Sequence, residues 1–508
     1  MALPDWVDPL FTADEMRAAD SYAIDEAGVP SLDLMERAGA GLAQVVAAAA
    51  EPGRPIRVVA GKGNNGGDGL VCARILREEG REVDVLSLGD PAELRGDARA
   101  NLERLPGALP DPFDAARLSG SGAVVDAMLG TGFEGAPREP VAGAIAAIND
   151  AGVPVVACDV PSGVNASTGE IEGDAVRAGA TATFHGSKIG LHVAPGTFHA
   201  GRVEVIEIGI PREAPGGSQA GLICDRVLEL VPHRRRDGSK FKSGTVVIAG
   251  GAAGYTGAPC MAALGAQRTG AGYIQLAVPH SAQQAVALRV LEGVTRGLPE
   301  EDGMHVPDGV TDVQELAERA GAVILGPGLG RSDGAREFAR AVARSVEAPL
   351  LIDADGLNAH IDALETLRER KAPTVLTPHE GELARLLGIE SAEVAAHRLK
   401  YARDAAERSG AIVVLKGDDS LVATPGGPVA ISPGATAALA TAGTGDVLSG
   451  VIGALLSKGV DAFAAAAGGV FAHARAGKVA ATRLGADHTV AGDVIEALPE
   501  AFARSGPG

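Results

Sequence analysis

Short apolar, β-branched runs recur along the chain, separated by stretches of helical length. In the first half they are IRVVA (56–60), VDVLSL (83–88), AVVDAML (123–129), VPVVACD (153–159) and TATFHG (181–186). Runs that do not alternate with polar residues fit strands buried on both faces, and their alternation with helical segments predicts a parallel sheet covered on both sides. The rhythm fades at IGIPREAPGGSQAG (208–221), rich in Pro, Gly and small polar residues. It resumes as TVVIAGG (245–251), YIQLAVP (273–279), AVILGPG (322–328), PLLIDAD (349–355), TVLTPHE (374–380) and AIVVLKG (411–417). The pattern predicts an α/β chain of two doubly wound domains, 1–212 and 236–508, joined by a linker region at 213–235. The halves share no motif and no fixed-period repeat, so duplication is not supported. Thr12-Ala13-Asp14-Glu15 has the capping-box spacing and predicts a helix start. Val447, Leu448, Val451, Ile452 and Leu455 have the spacing of a buried helix face.

Composition sharpens this picture in three ways. A length of 508 residues needs more than one core, and 70 glycines with only 3% aromatic residues suit Gly-rich turns between Ala/Val/Leu/Ile elements. The formal charge of −20, with no long basic tract, argues against nucleic acid or an anionic membrane as the main partner; the run His233-Arg234-Arg235-Arg236 reads as a solvated interdomain segment. Cys72, Cys158, Cys224 and Cys260 are too widely spaced for a zinc or redox motif, which fits a reducing compartment. The acidic N-terminus lacks the charge of a secretory signal, and no apolar run approaches the roughly 18 residues of a membrane span. The expectation is a cytoplasmic enzyme, and α/β enzymes of this size are commonly homo-oligomers.

Candidate chemistry clusters at the predicted strand ends, where open parallel sheets bind ligands. VVAGKGNNGGDGLVCARIL (58–76) runs from strand through a Gly-rich loop into a helix, with glycines that permit positive φ and close backbone approach, so that a phosphate could sit at the helix start. A plain tight turn would also carry glycines, but Asn64, Asn65 and Asp68 together exceed what a turn needs. DAMLGTGFEGAP (126–137) and CDVPSGVNASTGE (158–170) can converge on the same place. Asn65, Asp126, Asp159 and Ser162 offer hard oxygen donors, suited to an alkali or alkaline-earth cation rather than zinc; Asp126 alone would read as a strand-end cap.

The second half repeats the principle with other residues. GGAAGYTGAP supplies small residues against which a planar ligand could lie, and GPGLG (326–330) follows a strand in the same way. TPHEGELARLLG (377–388) sets His379 and Glu380 at a strand end. A lone His is commonly structural; its place among the gathered loops favours a ligand contact. VVLKGDDSLV (413–422) offers Lys416, a permissive Gly417 and the hydroxyl of Ser420. Arginine outnumbers lysine about fourfold, so a lysine in a Gly-rich loop is notable. LATAGTGDVLSG (439–450) places Asp446 directly after Gly443-Thr444-Gly445 at a helix start, where free N–H groups can hold phosphate oxygens and the carboxylate can take a proton.

Two resemblances make these features specific. FTADEMRAAD, GVPSLDLMERAG, GKGNNGGDG, DAMLGTG, DVPSG and HGSKIGLHVAPG together resemble the NAD(P)H-hydrate epimerase family, across nearly all of residues 10–212. That resemblance implies a Rossmann-like three-layer sandwich in which Asn64, Asn65, Gly66, Gly67 and Asp68, with Gly130, Thr131, Gly132, Phe133, Glu134, Gly135 and Ala136, hold the hydrated dinucleotide. It further implies that Asp159 contacts substrate as the acid/base and that Asn65, Asp126 and Ser162 bind K+. Lys188 is a weaker candidate, since a solvated structural lysine explains it equally well.

GTGD before an apolar helix resembles the ribokinase-like fold, where the Asp is the base for phosphoryl transfer. GGAAGYTGAP, GPGLG, DADGLNA, TPHEGE, LKGDDS and TAGTGDVLSG over about 236–500 resemble the ADP-dependent NAD(P)H-hydrate dehydratases. The resemblance implies that Ala258, Gly328, His379 and Asp446 meet the hydrated nicotinamide nucleotide (NAD(P)HX), and that Lys416, Gly417, Asp418, Asp419, Ser420 and Gly445 hold ADP with Mg2+, releasing AMP. Members usually carry an Asn-Pro pair before this loop, whereas this chain has Thr436-Ala437, which puts donor preference and turnover rate in question. The alternatives are a ribokinase-like small-molecule kinase with a nucleotide-binding N-terminal module, and an N-terminal half serving as a non-catalytic scaffold.

Overall fold

The computed structural model describes residues 3–217 and 219–503. They fall into two compact units: Pro9–Gly221, and a second made of the described residues before Pro9 together with those from Leu222 onward. The chain opens with β1 (Val7–Leu10), followed by a helix at Ala13–Ser21 that Thr12 and Glu15 cap reciprocally, as the sequence pattern predicts.

The unit Pro9–Gly221 is built on β2 (Ile56–Ala60), β3 (Val83–Ser87), β4 (Asp111–Pro112), β5 (Ala123–Ala127), β6 (Val155–Cys158), β7 (Ala180–Phe184) and β8 (Arg202–Ile206). Their order is β4-β3-β2-β5-β6-β7-β8, and the neighbours pair in parallel. Val58 faces Val85 on one side and Val125 on the other, all three fully buried, which is why these runs show no polar alternation. Strand order reverses between β2 and β5, so a crevice opens at their carboxyl ends.

The second unit continues with β9 (Ala220–Ile223), β10 (Thr245–Ala249), β11 (Tyr273–Pro279), β12 (Val294–Leu298), the hairpin β13 (Glu300–Glu301) and β14 (Met304–His305), then β15 (Ala322–Leu325), β16 (Leu350–Ile352), β17 (Thr374–Leu376), β18 (Ile412–Leu415), β19 (Leu421–Ala423) and β20 (Val429–Ile431). Eleven strands form one sheet in the order β1-β9-β20-β19-β18-β17-β16-β15-β10-β11-β12. Its middle is parallel, while β18, β19 and β20 are antiparallel. The reversal here lies between β10 and β15.

Two boundaries differ from expectation. Trp6 and Val7 belong to the hydrophobic core of the second unit, where the Trp6 ring meets Phe463 at 5.0 Å between centroids, so the first unit does not begin at residue 1. The expected linker 213–235 is partly core as well: Ile223, Val227 and Leu228 are buried in that same cluster. The second was hidden because three buried side chains spread over six residues, just after a Pro/Gly-rich stretch, leave little periodic trace.

Candidate active sites

In the first unit a cavity of about 770 Å³ opens at the predicted crevice, walled by Asn64, Asn65, Asp68, the run 130–133, Asp159 and Lys188. Gly66, Gly67, Glu134, Gly135 and Ala136 are outside its lining. The glycines of the first loop are there for close approach rather than for positive φ: a Cβ on Gly66 would stand 2.2 Å from the Gly61 carbonyl oxygen, and Gly66 is not in the left-handed region.

Asp159 follows β6 in a left-handed conformation (φ 66°), a costly backbone state for a residue other than glycine. Its Oδ1 lies 2.6 Å from Lys188 Nζ and accepts from Thr183 Oγ1 at 3.3 Å. Its Oδ2 accepts from the Thr131 backbone N at 3.2 Å and from the Thr131 hydroxyl. Burial pushes the carboxyl up, but Lys188 and these hydrogen bonds outweigh it and hold Asp159 below its ordinary range. Lys188 is not solvated. It is 1% exposed and also donates to Thr183 Oγ1 and the Phe184 carbonyl, both at 2.9 Å. Asp68 is lifted well above the carboxylate range by burial and then by the charges of Asp159 and Asp20. Asp20, another wall residue, ends the FTADEMRAAD motif but was not singled out as a site residue.

Asn65, Asp126 and Ser162 come together as expected. Ser162 donates its Oγ to Asp126 Oδ1 at 2.6 Å and its N to Oδ2 at 2.8 Å. Asn65 Nδ2 donates to the Leu129 carbonyl at 2.8 Å, and the Leu129 N donates to Ser162 Oγ at 3.0 Å. Asp126 is fully buried and burial raises its carboxyl to about 6. With no cationic side chain paired to it, a carboxylate, hydroxyl and amide of this kind fit a large hard cation by the chemistry of the donor set.

In the second unit, Asp446 stands in the first turn of the helix Thr444–Ser457, whose N-cap Gly443 has φ 90°, a conformation that demands glycine. Thr444 is structural: its hydroxyl donates to the Leu439 and Thr441 carbonyls at 2.8 and 2.9 Å. Asp446 makes no hydrogen bond among the described residues. Burial first, then the charge of Asp353, push its carboxyl up to about 7, the range wanted of a general base at neutral pH.

Lys416 reaches this helix start, its Nζ 3.6 Å from where a Cβ on Gly445 would be, but it is already engaged. Nζ lies 3.1 Å from Asp353 Oδ1 and 3.6 Å from Glu382 Oε2, and Asp353 is fixed in turn by Thr377 Oγ1 at 2.9 Å and Ser449 Oγ at 2.8 Å. Asp353 and Glu382 escaped the sequence reading. Asp353 offered a signal, a carboxylate ending an apolar strand as Asp126 and Asp159 do, whereas Glu382 is only the third helical residue after a cap.

His379 caps the helix Glu380–Leu387 by accepting from the Gly381 N at 3.0 Å through Nδ1, which leaves the proton on Nε2, beside Glu382 Oε1 at 3.7 Å. Burial lowers its pKa, keeping it neutral. Gly328 and Ala258 adjoin, 3.1 Å separating the Ala258 Cβ from a Cβ on Gly328. Asp419 departs from expectation: it is 2% exposed and bound by Arg398 at 2.8 Å, so its carboxylate cannot itself face a nucleotide. Ser420 closes its own loop on Gly417, donating at 2.8 Å and accepting at 3.1 Å. Where the Asn-Pro pair is missing, Thr436 caps a short 3-10 turn, its Oγ1 accepting from the Ala438 N at 3.4 Å.

Fold and sites define an α/β enzyme with two separate small-molecule sites, the second on a ribokinase-like scaffold. Residues 246–500 match the family described as NAD(P)H-hydrate dehydratase, and residues 31–190 match the YjeF-related protein N-terminus. A bifunctional NAD(P)H-hydrate repair enzyme of Salinibacter ruber is 42% identical over 457 residues, covering 82% of each chain, and one of Moorella thermoacetica is 38% identical over 440 residues, covering 83% of each. The crystal structure of an ADP/ATP-dependent NAD(P)H-hydrate dehydratase from Bacillus subtilis, co-crystallised with ATP/Mg2+, is similar at 27% identity and TM-score 0.50 over 55% of this chain and 97% of its own. The chain belongs to the bifunctional NAD(P)H-hydrate repair enzymes, epimerase and dehydratase in one polypeptide. Among the described residues no helix is long and apolar enough to cross a membrane.

Proposed function

We propose that the first unit interconverts R- and S-NAD(P)HX and that the second dehydrates the S form to NAD(P)H at the expense of ADP. The carrying observation is Asp446, unpartnered and raised to about 7 at a helix start. Asp446 takes the proton of the substrate hydroxyl at the hydrated ring carbon, and that oxygen attacks the terminal phosphorus of the Mg2+-bound ADP. The bond from phosphorus to the AMP oxygen breaks. Phosphate then departs with the carbon–oxygen bonding pair, the adjacent ring carbon loses a proton, and NAD(P)H forms. Ala258, Gly328 and the neutral His379 seat the hydrated ring. The Lys416–Gly417 and Gly445 turns face the nucleotide with Asp418 and Ser420, and Asp419 acts through Arg398.

In the first unit Asp159 is the acid/base at the hydroxyl-bearing carbon, kept ionised by Lys188, and Asn64, Asn65, Asp68 and the loop 130–133 receive the dinucleotide. K+ held by Asn65, Asp126 and Ser162 would supply fixed positive charge beside the dinucleotide phosphates. The test gives the purified protein R- and S-NADHX with and without ADP and Mg2+, following reduced-nicotinamide absorbance, AMP and phosphate. ADP-dependent recovery from both epimers is expected. Recovery from S alone would remove the epimerase role, and a stable phosphorylated product would replace dehydration by kinase chemistry.

A further inference from the structure

A separate cavity of about 350 Å³ lies in the second unit, walled by the segment from Pro232 to Gly238, by Lys242 and Ser243, and by Lys458. In a chain of net charge −20 it gathers Arg234, Arg235, Lys242 and Lys458 around one space. Asp237 is the single carboxylate in the wall, and Arg235 holds it with bonds of 2.9 and 3.1 Å. The other three cations are not neutralised. Arg234 donates to the Gly270 and Ala271 carbonyls at 3.4 and 3.3 Å, and Lys458 to the Pro232 and Thr269 carbonyls at 3.2 and 3.4 Å. The Lys242 ammonium meets no acceptor among the described residues.

Carbonyl oxygens fix Arg234 and Lys458 in position without cancelling their charge. The cost of that crowding registers on Lys458, whose pKa is lowered by burial and then by Arg234. Binding the ends of helices accounts for Arg234 and Lys458, because these carbonyls follow the helix Gly257–Arg268 and Lys458 ends the helix Thr444–Ser457. It accounts neither for Lys242 nor for the open cavity that these side chains line. Guanidinium and ammonium donors around a cavity of this size, two of them held by carbonyls, match a tetrahedral dianion with several acceptor oxygens.

We propose that this cavity binds a phosphate group, either as orthophosphate or as the phosphate of a small monoester. It is not the reaction centre: it adjoins the C-terminal end of the 14-residue helix that carries Asp446 in its first turn, about 20 Å away at 1.5 Å per residue.

The test titrates the full chain with orthophosphate and, in a separate arm, ribose 5-phosphate, by calorimetry at constant ionic strength set with chloride. Saturable binding is expected in at least one arm; binding of both means that free phosphate suffices, and binding of the monoester alone assigns the site to phosphorylated metabolites. Arg235→Gln/Lys242→Gln, both exposed and outside the reaction machinery, should weaken it about tenfold or more, whereas Lys416→Gln in the dehydratase site should leave it unchanged. No saturable binding in either arm, or binding that survives the double substitution, overturns the proposal.

Discussion

The two units each aim an aspartate into a ligand space and give it opposite electrostatics. Asp159 has a buried lysine at 2.6 Å and two threonine hydroxyls, so it stays ionised despite its burial. Asp446 also has a lysine nearby, but Lys416 is bound to Asp353 and Glu382, and the carboxyl rises to about 7. The difference is therefore not the presence of a cation but whether another carboxylate has claimed it. An Asp159 that rests ionised suits orienting a substrate hydroxyl and taking up its proton only transiently in a reversible inversion. The raised Asp446 has the basicity to take a proton from an alcohol about to become a phosphoryl acceptor.

The largest effect expected from breaking this contrast is at Asp446. Asp446→Asn should lower the dehydratase rate by about 10³-fold or more while ADP still binds by calorimetry and epimerase activity persists; an active variant would falsify the base assignment. Next in size is Lys188→Met, which strands Asp159 as a buried charge. We expect about 3–5 kcal/mol lost in denaturant unfolding of the first unit and epimerase turnover down about 100-fold, with dehydratase turnover intact. Near-normal stability would mean that Thr131 and Thr183 suffice.

A smaller effect tests the close backbone packing of the Gly-rich loop beside the first cavity. Gly66→Ala must push the Gly61 carbonyl away, for about 1–3 kcal/mol, seen as a fall in melting temperature of the first unit alone. The smallest concerns pH. Dehydratase kcat/KM should climb as pH rises through about 7, because Asp446 must lose its proton. Asp353→Asn removes the second-ranked cause of the rise and frees Lys416, so the limb should move down by about 0.5–1 pH unit. The linkage has the matching sign: a carboxyl raised in the folded state favours folding at low pH, and Asp446 gives up that contribution as pH climbs from its unfolded value to about 7. An unmoved limb in the Asp353 variant would assign the step to another group.

Much of this was legible in the chain. The strands IRVVA and YIQLAVP coincide with β2 and β11 because full burial leaves an unbroken apolar run. The edge strand RVEVI has no fully buried residue and went unread, as did β19 and β20, three residues each, too short for any period to register. Strand-end carboxylates and Gly-rich turns located both sites, since topology alone brings those ends together. The course of long side chains is different: nothing local to Lys188 says that it runs inward to Asp159, or to Asp419 that it turns to Arg398. Such choices are settled by partners 29 and 21 residues away, as 188 − 159 and 419 − 398 give.

The pairing of β1 with β9 makes the first unit an insertion within the second, not a bead preceding it. Both termini of that insertion meet in neighbouring strands of one sheet, the arrangement in which a domain can be spliced into a host without straining either. On the ribosome, β1 emerges before the other strands of its sheet yet has no neighbour until some 210 residues later, so the edge of the dehydratase sheet closes only after the epimerase has left the exit tunnel. A gene cut just before Ala220, which keeps β9 whole, would separate the activities but cost the second product its outermost strand and the Trp6 anchor, and a second fragment that begins at Ala220 should be rescued by restoring the β1 segment as a peptide.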